Sequence, residues 1–333
     1  MNATEELAKL LEAFFTVWLM NQRKVSPNTI IAYRDTFQLL LRYAEKRLKK
    51  KPSQLNLIDI DADFILEFLL DLEKSRKVCP RTRNVRLAAI KSFFGYVAFR
   101  LPEKNVFIGR ILAIQESKIS KKQVEYLTQK ELKVFLGVQN QKTWIGRRDH
   151  LMILMAVETG LRLSELLSLR WDDISISKAG GYIHCIGKGR KERSVPMTSA
   201  TARIYLHWKN EQAGSSSVNV FPSNKGTRMT PDCFQKQMRK YKALSAQNCR
   251  SLRNKRVTPH VLRHTAAMNL LLSHVDLSTI AIILGHESIQ TTQMYIASNP
   301  KLIEDALKKL GLKRTRLKRF KVDDKLVKYL KDL

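Results

Sequence analysis

The sequence predicts a mainly α-helical protein of two domains, the second of which also contains a small three-stranded antiparallel sheet. Apolar residues recur at helical spacing throughout residues 1–112, where no alternating strand pattern occurs. The polar, aperiodic stretch 113–126 then predicts a linker. Thr128, with Glu131 three residues later, forms a capping box that predicts a new helix and the start of a second domain, 127–300.

The composition indicates an anionic partner. The 333 residues include 60 Lys and Arg against 30 Asp and Glu, which gives a net charge of +30, while the hydrophobic content of 44% is ordinary. Such an excess of one sign opposes compaction unless a partner offsets it, and nucleic acid is the leading candidate. Two alternatives stay open, a solvated basic surface and a purely structural nucleic-acid binder.

The cysteines and the N-terminus predict a cytoplasmic protein. The four cysteines are widely spaced and form no Cys-x-x-Cys pair, which favours free thiols in a reducing compartment. They are Cys79, Cys185, Cys233 and Cys249. Glu5 and Glu6 interrupt the first ten residues, so no secretory signal is predicted. The apolar runs 64–70 and 151–157 are too short to span a bilayer, so we expect no membrane association.

Helix-start signals divide the first domain into four or five helices on short loops, as in a bundle. Pro27 and Pro80 fit the first turn of a helix, and Asp61 fits an N-cap. The helix after Pro80 is basic at its start and along one side, so we predict that it contacts DNA phosphates. The predicted contacts are Arg81, Arg83, Arg86 and Lys91. The alternative is a solvated helix face.

Two cations of the second domain lie where an anion would be favoured. Arg162 follows a helix break at Gly160 and precedes a restarted helix, whose N-terminal N–H groups attract negative charge. Lys188 lies at the glycine-rich tip of a predicted hairpin, from which its ammonium can reach a phosphate or a leaving oxygen. The alternatives are a salt-bridged surface arginine and a solvated hairpin lysine.

The second domain also contains a predicted sheet and a second basic stretch. Segments 171–176, 181–186 and 192–196 predict three strands joined by tight turns. Between residues 233 and 258 no acidic residue occurs while cations accumulate, so we predict that this stretch follows the DNA backbone. The predicted contacts are Lys236, Arg239, Lys240, Arg250, Arg253, Lys255 and Arg256.

The stretch from residue 258 to residue 295 concentrates groups that can act on a phosphate. His260, Arg263 and His264 share one face of a helix, because they fall at i, i+3 and i+4. His286 follows a glycine helix end, and Tyr295 falls on a last helix. Paired arginines hold phosphoryl charge well, and a phenol can form a covalent phospho-enzyme.

We therefore predict a phosphoryl-transfer site in which Arg162 and Arg263 hold the developing charge and Tyr295 is the nucleophile. His260 would take or hold the phenolic proton, and Lys188 would give a proton to the departing sugar oxygen. The residues leave three alternatives open. They are zinc binding by His260 and His264 at i, i+4, a core role for Tyr295, and a purely structural role for His264 and His286.

Several motifs in order resemble the tyrosine recombinases, also called the phage integrase family. They are TGLRLSELLSLRWDDI, GKGRKERSVPM, HVLRHTAA and LGHESIQTTQMY in residues 126–300, with SPNTIIAYR and RTRNVRLAAIKSFF before them. The resemblance implies a SAM-like helical core-binding domain that clamps DNA and an α+β catalytic domain. The implied catalytic residues are Arg162, Lys188, His260, Arg263, His286 and Tyr295. Glu165 and His264 are expected to support them, and neither a metal nor another cofactor is implied.

The resemblance also implies a reaction and its partners. Members cut double-stranded DNA at a specific site, form a 3′-phosphotyrosine link and exchange strands through a Holliday junction, with four protomers on two sites. We expect a monomer or dimer when free, with or without partner recombinases, in a prokaryotic cytoplasm at the nucleoid. The basic tail 301–333 has helical spacing that suits exchange between protomers, although a solvated tail is the alternative.

The tail favours a recombinase that integrates, excises or transposes a mobile element. A resolvase of chromosome or plasmid dimers is the alternative within the family. A type IB topoisomerase has a similar set of residues, but the helical first domain argues against it. A non-catalytic DNA-binding protein is the alternative from another class, and it would have no need of the full set of catalytic residues.

Overall fold

The protein is described here by a computed structural model, which covers residues 3–119, 124–178, 180–187, 192–214, 216–286 and 288–297. The chain divides into two compact units between residues 121 and 122. Helices dominate both units, and the described strands form one small antiparallel sheet in the second. The predicted fold class is therefore confirmed. No helix within the described ranges is long and apolar enough to cross a membrane.

The described residues of the first unit form five α-helices. They are α1 (Ala3–Ala13), α2 (Pro27–Leu48), α3 (Ala62–Arg76), α4 (Pro80–Arg100) and α5 (Asn105–Leu112). The predicted cap is present at Asp61, whose carboxylate accepts a hydrogen bond from the N–H of Phe64. The Ser26 hydroxyl, directly before Pro27, likewise accepts one from the N–H of Thr29. Phe14–Gln22, which directly follows α1, is a π-helix. The apolar spacing of residues 1–112 did not predict this change of helix type.

Aromatic side chains at the centre of the first unit account for that change of register. Phe14 is the first π-helical residue and is fully buried. Its ring makes edge-to-face contacts with Phe37 of α2 and Phe93 of α4, at centroid distances of 6.3 and 5.4 Å. A wider helical turn lets Phe14 and Leu19 both face this core, which a regular α-helix would not place on one side.

The described residues of the second unit form eight α-helices and three strands. The helices are α6 (Gln129–Gly137), α7 (Trp144–Thr159), α8 (Leu163–Ser168), α9 (Ser199–Glu211), α10 (Pro231–Asn248), α11 (Pro259–Leu272), α12 (Leu277–Leu284) and α13 (Gln290–Ala297). The strands are β1 (Ile174–Ser177), β2 (Gly180–Ile186) and β3 (Glu192–Met197). They pair in the order β1-β2-β3, with Ile183 opposite both Ile174 and Val195. The predicted three-stranded sheet is confirmed.

A glycine turn after α7 positions the site. Gly160 ends α7 with φ of 63°, in the left-handed region that favours glycine. A Cβ at this position would also overlap the side chain of Leu284 at the end of α12. The chain can therefore turn closely past α12 and deliver Arg162 to the N-terminus of α8.

Candidate active site

Two arginines from distant parts of the sequence are held at the same place. Arg263, on α11, is only 6% exposed and donates hydrogen bonds to the carbonyl oxygens of Gly160 at 2.7 Å and Leu284 at 2.6 Å. Arg162 donates to Glu165 Oε1 at 3.0 Å and to the carbonyl oxygen of Gly285 at 2.5 Å. Both guanidinium groups are thus fixed by the protein itself, which pre-organises them for an anion.

A cavity of about 260 Å³ opens beside these arginines. Its lining residues are Leu161, Arg162, Leu163, Gln235, Thr258, Pro259, His260 and Arg263. Burial, together with the charge of Arg162, lowers the pKa of Arg263 to about 10. Both causes disfavour the charged guanidinium, so an anion entering the cavity would stabilise it.

The predicted nucleophile lies beside this cavity but is not among its lining residues. Tyr295, on α13, is 1% exposed, and its hydroxyl oxygen lies 3.0 Å from Nδ1 of His264. The ring of His286 stacks on its ring at a centroid distance of 6.4 Å. Burial raises the pKa of Tyr295, although the charge of Arg263 opposes the rise. The phenol is therefore protonated and withdrawn in this state.

The histidine that contacts the phenol is His264, whereas the sequence suggested His260. His260 is exposed in the first turn of α11, and His264, one turn later, faces α13. Burial and the neighbouring charges of His260 and Arg263 lower the pKa of His264 to about 4. A neutral imidazole of such weak basicity cannot remove a proton from a phenol, so the hydrogen bond holds the phenol in place.

The remaining predicted groups surround the same centre. His286 lies directly after the left-handed Gly285, and its Nδ1 is 2.8 Å from the hydroxyl of Thr292. Burial and then the charges of Arg263 and Arg162 lower the pKa of His286 to about 4. Lys188 lies outside the described residues. Within the described residues, no three His, Cys, Asp or Glu side chains are grouped to hold a metal ion.

Most of the predicted DNA contacts are exposed or half-buried. Arg81, Lys236, Arg239, Lys240, Arg250, Arg253 and Arg256 are exposed, and Lys91 is half-buried. The prediction is wrong for Arg83, which is 7% exposed and lies 3.4 Å from the carboxylate of Glu73. Arg83 shares the inward face of α4 with Leu87 and Ile90, four and seven residues later.

Two other predicted contacts direct their donors into the protein. Arg86 bonds the carbonyl oxygen of Ala32 and the hydroxyl of Thr36, both at 2.9 Å, and so ties α4 to α2. Lys255 bonds Glu131 at 2.7 Å. Although burial opposes it, the bonds to Glu131 lower the pKa of this carboxyl to about 2. Both side chains therefore have partners within the protein.

Comparison with known proteins identifies the family of the chain. Residues 125–301 match the family model described as the phage integrase family, and residues 12–100 match that of the phage integrase N-terminal SAM-like domain. The chain belongs to the phage integrase family. Its helical first unit and its mixed second unit are thus the SAM-like and catalytic domains of a tyrosine recombinase.

Two relatives align with most or all of the length of this recombinase. The integrase/recombinase y4rC of Sinorhizobium fredii is 44% identical over 100% of both chains. The tyrosine recombinase XerD of Pasteurella multocida is 31% identical over 86% of this chain and 92% of its own. The chain is accordingly a tyrosine-type site-specific recombinase, as its motifs implied.

Solved structures share the fold of the recombinase. An integrase of the transposon Tn1549, in complex with transposon right end DNA, has a TM-score of 0.71 at 17% identity, covering 94% of this chain and 100% of that one. The XerH recombinase, bound to a palindromic difH substrate after cleavage, has a TM-score of 0.69 at 22% identity, covering 92% and 89%. At these identities the likeness concerns the fold alone.

The sequence did not reveal two polar residues of this recombinase's site. Gln235, an exposed residue of α10, lines the cavity, but its position in a basic helix gave no distinguishing signal. Arg193 contacts Glu165 and lies on the same face of β3 as Val195 and Met197. A charged residue on the inward face of an alternating strand was a signal that could have identified it.

Proposed function

We propose that this recombinase cuts and rejoins DNA through a covalent bond between Tyr295 and a 3′-phosphate, in the integration, excision or transposition of a mobile element. The observation that carries the proposal is the convergence of Arg162, Arg263 and His260 on one cavity, with the phenol of Tyr295 beside it. A cavity with two fixed guanidinium groups suits a phosphate whose charge grows during bond exchange.

The arginines retain donors for such a phosphate. A guanidinium carries five N–H donors. Arg263 uses two of its donors in the bonds to Gly160 and Leu284. Arg162 likewise uses two of its own in the bonds to Glu165 and Gly285. The remaining donors can fork onto the oxygens of the scissile phosphate. Lys188 would protonate the 5′-oxygen as it leaves, in the role that its hairpin position predicts. His260, which lines the cavity, would take the proton of the Tyr295 hydroxyl as its oxygen bonds to phosphorus.

Tyr295 has to move before it can attack. Its hydroxyl is buried against His264, while the arginines border an open cavity. We infer that the described structure is a resting state and that α13 shifts when four protomers assemble on two DNA sites. Exchange of the tail 301–333 between protomers, which lies outside the described residues, would couple that shift to assembly. Cleavage at full rate by a monomer would contradict this coupling.

The relatives favour the mobile-element role over dimer resolution. The relative named integrase/recombinase matches the whole chain, tail included, at 44% identity. XerD matches 86% of it at 31% identity, which keeps chromosome- or plasmid-dimer resolution as the second candidate. In either role the partner is double-stranded DNA with a specific recombination site. A homo-tetramer would hold two such sites and exchange their strands through a Holliday junction.

A plasmid assay tests the function. The genomic fragment that the protein binds most tightly is placed twice in one supercoiled plasmid, which is then incubated with the purified protein. We expect deletion or inversion of the intervening DNA and transient Holliday junctions. Supercoil relaxation without exchange would instead indicate a topoisomerase, and binding without any cleavage would indicate a DNA-binding protein.

Affinity for DNA should fall steeply with salt. If about 6 to 10 phosphates are contacted, raising salt from about 50 to 200 mM should weaken binding by roughly 10³- to 10⁵-fold. Anisotropy titrations of the wild type and of the triple variant Lys236→Gln, Arg239→Gln, Lys240→Gln give the slopes, and the variant should have the shallower one. Lys209→Gln, an exposed cation on α9, is the control. A flat wild-type response would mean that the charge is not used on phosphates.

A further inference from the structure

The C-terminal end of α12 is held by three different arginines. The last carbonyl groups of a helix have no partner inside the helix and carry the negative end of its dipole, so cations stabilise them. The bonds join Ile283 O to Arg193 Nε at 3.0 Å, Leu284 O to Arg263 Nη2 at 2.6 Å, and Gly285 O to Arg162 Nη2 at 2.5 Å. His286 is the next residue, so this end of α12 sets the start of the segment that carries it.

Arg193 differs from the other two arginines in not lining the cavity. Its side chain is 9% exposed, and its two terminal nitrogens bond the two oxygens of Glu165 at 3.0 and 2.7 Å. The same carboxylate accepts bonds from the backbone N–H and from Nη1 of Arg162, at 2.7 and 3.0 Å. Glu165 therefore bonds both Arg162, which lines the cavity, and Arg193, which does not.

We propose that Arg193 is a positioning residue for strand cleavage, which acts on the scissile phosphate only through Glu165 and the end of α12. It holds the carboxylate that orients Arg162, and it anchors the turn that leads to His286. This inference rests on the proposed role of Arg162 in phosphate binding. It adds a residue that would be essential for the rate although it never contacts DNA.

The charge state of Glu165 gives a test that distinguishes a positioning role of Arg193 from a purely structural one. Burial pushes the pKa of Glu165 up, but hydrogen bonds from Arg193 and Arg162 outweigh it, and the pKa lies below its usual value. Other charged or titratable groups that interact with Arg162, Glu165 or Arg193 include Arg263, Cys185 and His286. Without Arg193, burial is opposed mainly by Arg162, so the carboxyl should take up a proton under mildly acidic conditions and release Arg162.

The experiment compares Arg193→Gln with the wild type in single-turnover cleavage of prebound DNA, from about pH 5 to 9. We expect the variant to cleave about 10- to 100-fold more slowly at neutral pH, as misplaced catalytic groups do. The rate should fall further on acidification, and this additional fall should be absent from the double variant Glu165→Gln, Arg193→Gln. DNA affinity should stay close to that of the wild type.

Arg147→Gln is the matched control, because Arg147 forms a comparable two-point pair with Glu211 in the same unit. It should cleave at the wild-type rate with an unchanged pH profile. If Arg193→Gln unfolds, Arg193→Lys keeps the charge but cannot bond both carboxylate oxygens at once, so it should show an acid-dependent loss that is smaller in size. Wild-type rates and pH profiles in the folded Arg193 variants, or equal losses of binding and cleavage, would overturn the proposal.

A measurement on the DNA-free protein separates this proposal from the proposed function. Burial and nearby arginines, Arg193 among them, lower the pKa of the His286 imidazole to about 4. Arg193 is the smallest of these causes, but it also anchors the turn that leads to the buried His286. In Arg193→Gln an NMR titration should therefore show this pKa raised, whereas Arg147→Gln should leave it unchanged. An unchanged His286 titration would overturn the role of Arg193. Failure of the wild type to cleave any DNA would count against the proposed function instead.

Discussion

Replacing Tyr295 with phenylalanine is expected to abolish covalent attachment to DNA and to leave DNA binding nearly unchanged. The substitution removes only the hydroxyl oxygen that would form the bond to phosphorus. The ring keeps its contacts with His264 and His286. Loss of the hydrogen bond to His264 should cost about 1 kcal/mol of folding stability, which a folded domain tolerates.

A suicide substrate gives the measurement. The DNA carries a nick next to the cleavage site, so that the short released strand diffuses away and the protein–DNA adduct accumulates for detection on a denaturing gel. Tyr205→Phe is the matched control, because Tyr205 is a buried tyrosine of the same unit whose hydroxyl has no hydrogen-bond partner among the described residues. The control should form adduct as the wild type does. An adduct formed by the Tyr295 variant would show that the nucleophile is misassigned.

Replacing Arg162 or Arg263 with alanine is expected to slow cleavage far more than it weakens DNA binding. Each should lose about 3–4 kcal/mol of transition-state stabilisation, or roughly 10²- to 10³-fold in rate, if it acts like a preorganised donor to developing charge. DNA affinity rests on many cations spread over the chain, so the loss of one should change it little.

The design has to separate loss of a phosphate contact from loss of structure, because both arginines also hold carbonyl groups of α12. Arg228→Ala is the matched control. Arg228 likewise donates to backbone carbonyls, those of Leu167 and Ser164 at 3.2 and 3.3 Å, but it does not line the cavity. It should retain cleavage. Equal losses of affinity and rate in the Arg162 and Arg263 variants would contradict their assignment to the transition state.

Features decided by local chemistry were predictable from the sequence. The predicted caps Asp61 and Thr128 each accept a hydrogen bond from a backbone N–H only three residues away. The same local pattern is present at Ser26, Thr258 and Asp276. The π-helical turn at Phe14 was not predictable. It depends on how that ring packs against Phe37 and Phe93, which come from helices far along the chain.

The active site likewise combines features that local sequence predicts with features that depend on long-range packing. Helical spacing placed His260, Arg263 and His264 on one helix, but it could not tell which imidazole would meet Tyr295, because that depends on where α13 packs. The burial of Arg83 was missed because a basic residue at a helix start was taken to be exposed.

The most direct test of the account is the identity of the bond between protein and DNA. The trapped adduct is digested with protease and nuclease, and the modified peptide is sequenced by mass spectrometry while the DNA ends are mapped. The account predicts a nucleotide joined through its 3′-phosphate to Tyr295, with a free 5′-hydroxyl on the other side of the break. A bond to any other residue, or a link through a 5′-phosphate, would contradict it.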